Sequence, residues 1–511
     1  MDFLSYCLII PCLLSLLYFS VQAFRCDPKR LLLPPGPKPF PIIGNLLELG
    51  NKPHLSLTNL SKRYGPIISL QLGQITTVVV SSSTMAKEVL RTHDQFLCNR
   101  TVPDAVQKWR NLRKICNNQL FATKVLDANQ ANRHLKAVEI GRAAFKTTLN
   151  LLSRTVFSVD LADPSSEMGR EFKEIVWGLM EESGKPNLGD YFPVLRKLDL
   201  QGIRRRIIKH FLKIDLLFDR MITQRLELRK SNDYVTSYDM LDSLLDISEV
   251  SNEDMDKLLI EHLFVALFVA GTDTTSATLE WAMAELLRNP EKLSKAHEEL
   301  EQVIGKGKPV EESDIARLPY LQAIIKETFR LHPAVPFLIP RKAKQDVEIL
   351  LVNAWAIGRD PFIWDNPTSF VPERYFGLDH QIDVLGKNFE LIPFGGGRRI
   401  CPGLPLAMRM LHLMLGSLIN SFDWKLEDEV TPENMNMEEK FGITLEMAHP
   451  LRAVPKKTQI RDGFVEFLYL NPMSLFSLVF IDSSFHNQPQ KASSTSAKAI
   501  SRHWQPLTAW Q

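Results

Sequence analysis

Ten residues, Phe394-Gly-Gly-Gly-Arg-Arg-Ile-Cys401-Pro-Gly403, combine a soft nucleophilic atom with an unusually open backbone. Three consecutive glycines let the chain approach something flat and large, because no Cβ intervenes. Cys401 then stands just ahead of an apolar helical pattern at 404–422. A helix N-terminus offers free N–H groups and partial positive charge, and both favour a thiolate over a thiol. Arg399 adds positive charge where an anionic cofactor edge would sit. The plain alternative is a glycine-rich turn around an inert cysteine.

Three other groups carry polar side chains at spacings that chemistry can use. In Ala270-Gly-Thr-Asp-Thr-Thr275, Thr274 lies four residues after Ala270, so its hydroxyl can bond back to that carbonyl and open the helix locally. Asp273 beside it can pass protons inward through Thr274 or an ordered water. The alternative is an ordinary helix with polar residues on its wet face. In Lys326-Glu-Thr-Phe-Arg330, Glu327 and Arg330 share one helix face and can pair. In Trp109-Arg-Asn-Leu-Arg113, the tryptophan and second arginine lie one turn apart.

The first of these segments fits the pattern F-x-x-G-x-R-x-C-x-G at Phe394, Gly397, Arg399, Cys401 and Gly403. It resembles the haem-ligand loop of the cytochrome P450 family of monooxygenases. The other segments resemble the same family in the same order, joined by Pro372-Glu-Arg-Tyr375 and by Arg341 in Ile339-Pro-Arg341; the resemblance covers roughly residues 30–455. DYFPVLRKLDLQGIRRR (190–206) and NAWAIGRDP (353–361) resemble plant microsomal members of the terpenoid-hydroxylating kind.

The resemblance implies a mainly α fold with a minor β-sheet, and haem b (iron protoporphyrin IX) with Cys401 as the axial metal ligand. Phe394 and Arg399 would belong to the cofactor loop, while Trp109, Arg113 and Arg341 would bond the haem propionates, which need cationic or N–H partners when buried. Asp273 and Thr274 would be the catalytic pair, delivering protons beside a groove for dioxygen. Arg374 would join Glu327 and Arg330 in a buried structural network. Electrons would come from NADPH through a flavoprotein reductase, and a cysteine thiolate on iron favours O–O cleavage.

These residues need a scaffold, and the rest of the sequence supplies one. Apolar residues at three- and four-residue spacing predict helices over 253–288 and 314–331. Runs of β type at 68–73 and 76–81 predict a small sheet near the start. Ala334–Ile339 and Phe441–Leu445 are expected to face a pocket for a small lipophilic substrate.

Composition narrows the class further. Sixty-one basic residues against 59 acidic ones leave a formal charge of +2, which gives no support to a nucleic-acid partner. Six cysteines at 7, 12, 26, 98, 116 and 401 form no CxxC pair, against a structural zinc site or a disulfide framework. The catalytic domain is therefore expected in a reducing compartment.

The ends differ from the middle. Residues 3–24 carry no charge and are long enough to span a bilayer as a helix, and Arg25, Lys29 and Arg30 follow. The expectation is an anchor at 1–24, a basic and proline-rich hinge at 25–50, and a single large monooxygenase domain at 51–455. This places the chain in the endoplasmic reticulum membrane with one pass and the domain facing the cytoplasm. A cleaved signal peptide is the alternative. Pro34, Pro35, Pro37, Pro39 and Pro41 make the hinge stiff. The tail at 456–511 is expected to be largely disordered.

Four features depart from the family's pattern: eight residues between Arg100 and Trp109, a shortened stretch near 134–138, a missing hairpin near 349–351, and the tail. The functional expectation is hydroxylation of a monoterpenoid or similar plant metabolite. A haem-binding but catalytically impaired variant, and an isomerase or dehydratase on the same fold, stand as alternatives.

Overall fold

Apolar periodicity decides where most of the backbone goes. A computed structural model describes residues 33–99, 137–161, 167–196, 198–231, 234–237, 239–250, 257–305, 308–343, 347–376, 382–427 and 429–457, with Leu13 and Ser15. The anchor stretch beyond those two residues, the short connection at 101–108, Trp109, Arg113 and the tail from 458 lie outside the described residues. The main helices are α1 (Pro53–Tyr64), α2 (Ile140–Phe157), α3 (Glu167–Gly184), α4 (Ile203–Arg229), α5 (Met240–Val250), α6 (Lys257–Arg288), α7 (Pro290–Val303), α8 (Pro319–Leu331) and α9 (Leu404–Ser421).

The axis of the fold is α6, which packs against α2, α3, α4, α7, α8 and α9. By length and composition it could cross a membrane, but 56% of its most apolar window is buried in the protein. It is a core helix. Phe264 and Phe268 from α6 meet Phe157 of α2, Phe172 of α3 and Phe218 of α4 in one buried aromatic cluster. Phe157 and Phe264 sit edge to face at 4.9 Å, and Phe172 and Phe268 at 5.1 Å. Burial of each ring contributes roughly 1.5–3 kcal/mol, before the added preference for edge-to-face contact.

The small sheets lie at the flanks. Strands β1 (Ile67–Leu72) and β2 (Ile75–Val80) pair antiparallel across a two-residue turn, whose first residue, Gly73, takes φ +61°. Glycine occupies that left-handed conformation without a Cβ penalty. A second sheet runs in the order β3 (Val138–Glu139), β8 (Arg452–Lys457), β5 (Phe422–Leu426). The hairpin β6 (Glu439–Lys440) and β7 (Glu446–Met447) packs against α6.

Three expectations can be set against the backbone. First, β4 (Ile349–Val352) joins β2 in parallel and runs unbroken across 349–351, where a hairpin was expected to be missing; Arg341 and Leu350 exchange backbone hydrogen bonds of 2.9 and 2.8 Å on its preceding side. Second, the helix expected from residue 314 begins at Pro319. Residues Glu312–Arg317 form a separate 3₁₀ turn, closed by a capping box between Glu311 and Asp314. Leu318 precedes a proline, which excludes it from the α region and separates the two pieces. Third, Thr274 does not open α6, which stays α-helical throughout. Thr272, Ser276 and Thr278 make the same back-bond to a carbonyl four residues earlier, so the helix absorbs the pattern without breaking.

Behind the sheets, Arg330 of α8 is fully buried and bidentate to Glu327 at 2.7 and 2.8 Å. Arg374 reaches the same carboxylate at 3.0 Å, and the Val371 N–H donates to it at 2.8 Å. Arg330 also donates to the carbonyls of Gly358, Pro367 and Ser369. The expected three-residue network is therefore present and pins the irregular segment 358–374 to α8. Removing one partner of such a pair strands the other charge in the interior. Glu327→Gln should lower unfolding stability by about 3–5 kcal/mol in urea titrations. Lys295→Ala, which removes an exposed partner of Glu373, should leave the midpoint nearly unchanged. Equal effects would mean that the buried network is not special.

Candidate active site

The loop before α9 has no ladder of its own and is held by its neighbours. Gly395 and Gly397 take φ +71° and +66°. A Cβ on Gly397 would lie 1.9 Å from the Leu90 carbonyl oxygen, so only glycine permits this approach. The Cys401 N–H donates to the Phe394 carbonyl at 2.9 Å and closes the turn. Phe394 packs edge to face on Phe329 of α8 at 5.2 Å. Gly403 caps α9, and the Cys401 side chain is exposed at the head of that helix.

Asp94, which sequence reasoning passed over, is the loop's anchor. Its buried carboxylate accepts from Arg341 at 2.8 Å and from the Arg398 N–H at 2.8 Å. Arg341, also buried, donates to the Gly396 carbonyl at 3.1 Å. Arg399 donates to the Cys98 carbonyl at 3.0 Å. Arg341, the described propionate candidate, and Arg399, expected in the cofactor loop, thus flank the cysteine. A guanidinium has five N–H donors, so these bonds do not exhaust either one.

On α6, most residues from Leu259 to Leu287 are buried, but Ala270 is exposed and Ala266, Leu267, Gly271 and Thr274 are partly so. Their three- and four-residue spacings place them along one stripe. Thr274 donates to the Ala270 carbonyl at 2.7 Å, as expected. Asp273 faces away from water and toward β7. Burial pushes its carboxyl up to about 6, the neighbouring Glu446 carboxyl pushes the same way, and the Thr444 hydroxyl opposes them.

The two expected pocket segments do meet. The Leu445 N–H donates to the Ala334 carbonyl at 2.8 Å, and Phe441 touches Phe337 edge to face at 5.7 Å. Behind them lies a second buried hub that the sequence did not announce. The Glu439 carboxylate bonds His54 at 2.8 Å and Trp355 at 3.1 Å, with Arg359 at 3.5 Å. Burial alone would raise its pKa, but the hydrogen bond from His54, the nearby His332 ring and the charge of Arg359 hold it well below the usual carboxylate range. His54 in turn stacks on Phe441 at 5.5 Å.

The donor set suits one soft metal ligand and no protein cage. Among the described residues, no group of three or more His, Cys, Asp or Glu side chains could hold a metal. An exposed single thiol at a helix head, beside a tight glycine loop and two arginines, fits a haem whose porphyrin supplies the remaining ligands.

Comparison with known proteins agrees with this geometry. The family model described as Cytochrome P450 matches residues 34–449. The chain belongs to the cytochrome P450 family. It is 52% identical to a geraniol 8-hydroxylase of Catharanthus roseus, across 89% of this chain and 99% of that protein. Against the Swertia mussotii protein of the same name the identity is 53%, across 86% and 96%. A drimenol monooxygenase of Persicaria hydropiper shares 50%, across 84% and 93%. As a P450 monooxygenase, the chain uses haem b, takes electrons from a redox-partner reductase and acts on a lipophilic substrate.

The raised pKa of Asp273 has a stability consequence with a definite sign. Its folded value, about 6, exceeds its ordinary 3.8. The neutral form therefore contributes stability that is fully present below about pH 4 and is lost as pH rises through 6. Asp273→Asn should remove that dependence, so the variant should gain on the parent protein between pH 4 and pH 7 in urea titrations. A constant difference across that range would contradict the assignment.

Proposed function

We propose that this P450 hydroxylates a monoterpenoid or similar small lipophilic plant metabolite, with electrons supplied from NADPH by a flavoprotein reductase. The observation that carries this reading is the exposed Cys401 thiol at the head of α9, held by the Asp94–Arg341 clamp. The relatives named for geraniol and drimenol supply the substrate class. Phe337, Phe441 and Leu445 give the neighbouring wall an apolar character that suits it.

In this reading Cys401 would ligate the haem iron, with Phe394 packed behind the loop. Arg341, with Trp109 and Arg113, would hold the propionates, and Arg399 would place positive charge at the cofactor's anionic edge. The haem, when bound, supplies the oxygen-activating chemistry. The protein holds the substrate in a dry cavity and provides protons through Asp273 and Thr274. That acid–alcohol pair favours oxygenation over an isomerase or dehydratase, which needs no protons for dioxygen. Cys401→Ser should abolish the thiolate signature of the reduced, carbon-monoxide-bound enzyme, because serine stays protonated and is a harder donor. A retained signature would place the ligand elsewhere.

We also propose the arrangement anticipated from composition: an anchor at 1–24, a hinge at 25–50, a catalytic domain at 51–455 and a separate tail at 456–511. The enzyme would sit on the endoplasmic reticulum membrane, facing the cytoplasm. Two observations support it. The proline segment is docked, with the Ser69 N–H donating to Pro35 at 3.0 Å and the Ser69 hydroxyl to Pro34 at 2.6 Å. In addition, Val194, Leu198, Leu200, Leu212 and Leu216 are exposed near Arg204 and Arg205, a pairing of apolar and basic surface that suits a lipid interface. Deleting residues 2–24 should release part of the protein from microsomes while the carbon-monoxide signature persists. Full retention of the truncated protein would show that the segment is not needed for attachment.

A further inference from the structure

The apolar wall formed by Phe337 and Phe441 is tied to the cysteine loop by one short segment. At its start the Ala334 carbonyl accepts from the Leu445 N–H at 2.8 Å. At its end Arg341 donates to the Gly396 carbonyl at 3.1 Å, and a Cβ on Gly395 would lie 3.7 Å from Leu338. Phe441 adds to this wall from the β6–β7 hairpin. Its ring is partly exposed and held between two others, stacked on His54 at 5.5 Å and edge to face with Phe337 at 5.7 Å. Ring contacts tolerate sliding, so the place of Phe441 depends on what fixes His54.

His54 is fully buried near the start of α1 and is held at both its backbone and its ring. The Thr58 hydroxyl donates to its carbonyl at 2.6 Å and accepts from Asn353 at 3.1 Å. Its Nε2 meets one oxygen of Glu439, two residues before Phe441, at 2.8 Å. The other Glu439 oxygen accepts from Trp355 Nε1 at 3.1 Å, with Arg359 at 3.5 Å and His332 Nδ1 at 3.7 Å. Trp355 and Arg359 can only donate, so the carboxylate is the acceptor of this cluster. His332 is itself held by Glu285 of α6 at 2.7 Å and stacks on Trp281 at 4.0 Å. One carboxylate thus joins the hairpin to α1, to the short helix Ala354–Ile357, to the end of α8 and, through His332, to α6. The adjoining Lys52–Glu438 pair, at 2.7 Å, links the start of α1 to the start of the hairpin at the surface.

We propose that Glu439 is the positioning residue for substrate orientation: through His54 it sets where the Phe441 ring stands, and so which carbon of the substrate is presented for oxidation. This rests on the reading above that Phe337 and Phe441 line the pocket of a small lipophilic substrate. Such a molecule offers few polar handles, so the shape of the wall decides its pose. A displacement of one ring by about 1 Å is enough to change which C–H bond is presented. Glu439 itself does not touch the substrate, so its effect belongs to binding and to the ratio of products.

The test uses the full-length holoenzyme with its reductase and geraniol, with every value referred to the amount of enzyme giving the carbon-monoxide signature. Glu439→Gln keeps the volume but removes the charge that gathers His54, Trp355 and Arg359. The Kd for geraniol, read from its absorption shift, should rise roughly five- to tenfold, the scale of one lost ring contact. The ratio of hydroxylated products should change with it. His54→Phe leaves a ring to stack on Phe441 but cannot bond the carboxylate, and it should reproduce both changes. The double variant should be no worse than either single one, because both break the same linkage; additive effects would show that Glu439 does not act through His54. Glu439→Asp keeps the charge and should recover much of the parent's product ratio. Lys52→Ala, which breaks only the surface pair, should leave both readouts at parent values. A purely structural role would lower holoenzyme yield and thermal stability while Kd and product ratio stayed unchanged, and that result overturns the proposal. Phe441→Ala separates this failure from failure of the pocket reading. If Phe441→Ala changes Kd and product ratio while Glu439→Gln and His54→Phe do not, the positioning role is refuted and the pocket stands. If Phe441→Ala changes neither, the pocket reading falls and the proposal falls with it.

Discussion

The loop that presents Cys401 has to be both open and still, and its backbone cannot supply the stillness. Glycines at left-handed dihedrals give it shape, but they also leave it with the largest conformational freedom in the unfolded chain. The Asp94 carboxylate resolves this conflict. It gathers the Arg341 guanidinium and the Arg398 N–H, while Arg341 takes the Gly396 carbonyl. The contact lies in the interior, where an incompletely paired charge is costly, so it is made completely or the loop is lost. The position of the sulfur, and with it any use of the metal it would hold, depends on a residue some three hundred positions earlier in the chain.

That distance also explains what the sequence could and could not disclose. The glycine–cysteine loop and the Thr274 back-bond to Ala270 are short runs whose residue types and spacing stand side by side, so both were legible, as was the Glu327–Arg330 pair on one helix face. β1 and β2 were legible for the same reason. Asp94, Glu439 and Glu446 were not. Each is an ordinary acidic residue locally, and each acquires meaning only from a partner hundreds of residues away or on a different element. Burial is what distinguishes them, and nothing in the neighbouring letters encodes it. The helix that starts at Pro319 rather than Asp314 was a different kind of miss. The apolar period continued through a proline whose effect on the preceding residue outweighs periodicity.

The Glu439 hub shows how the pocket wall is fixed without being rigid by composition. Phe441 and Phe337 are held by ring contacts that tolerate sliding. The carboxylate behind them is directional, because His54, Trp355 and Arg359 approach it from separate elements. Apolar side chains then define which surfaces a ligand meets, and the buried charge defines where those surfaces stand. Trp281 completes the arrangement by stacking on His332 at 4.0 Å while donating to the Leu445 carbonyl at 3.1 Å, which ties the wall to α6.

The docked proline arm has a mechanical meaning. Gly36 lies so close to β1 that a Cβ would fall 1.9 Å from the Ser69 carbonyl oxygen, and prolines on either side cannot swivel. An arm fastened in this way transmits torque. Residues 34–37 therefore turn with β1 as one piece, as a keel does and a rope does not. The conformational freedom that a connector of this length would otherwise keep has been given up once, at folding.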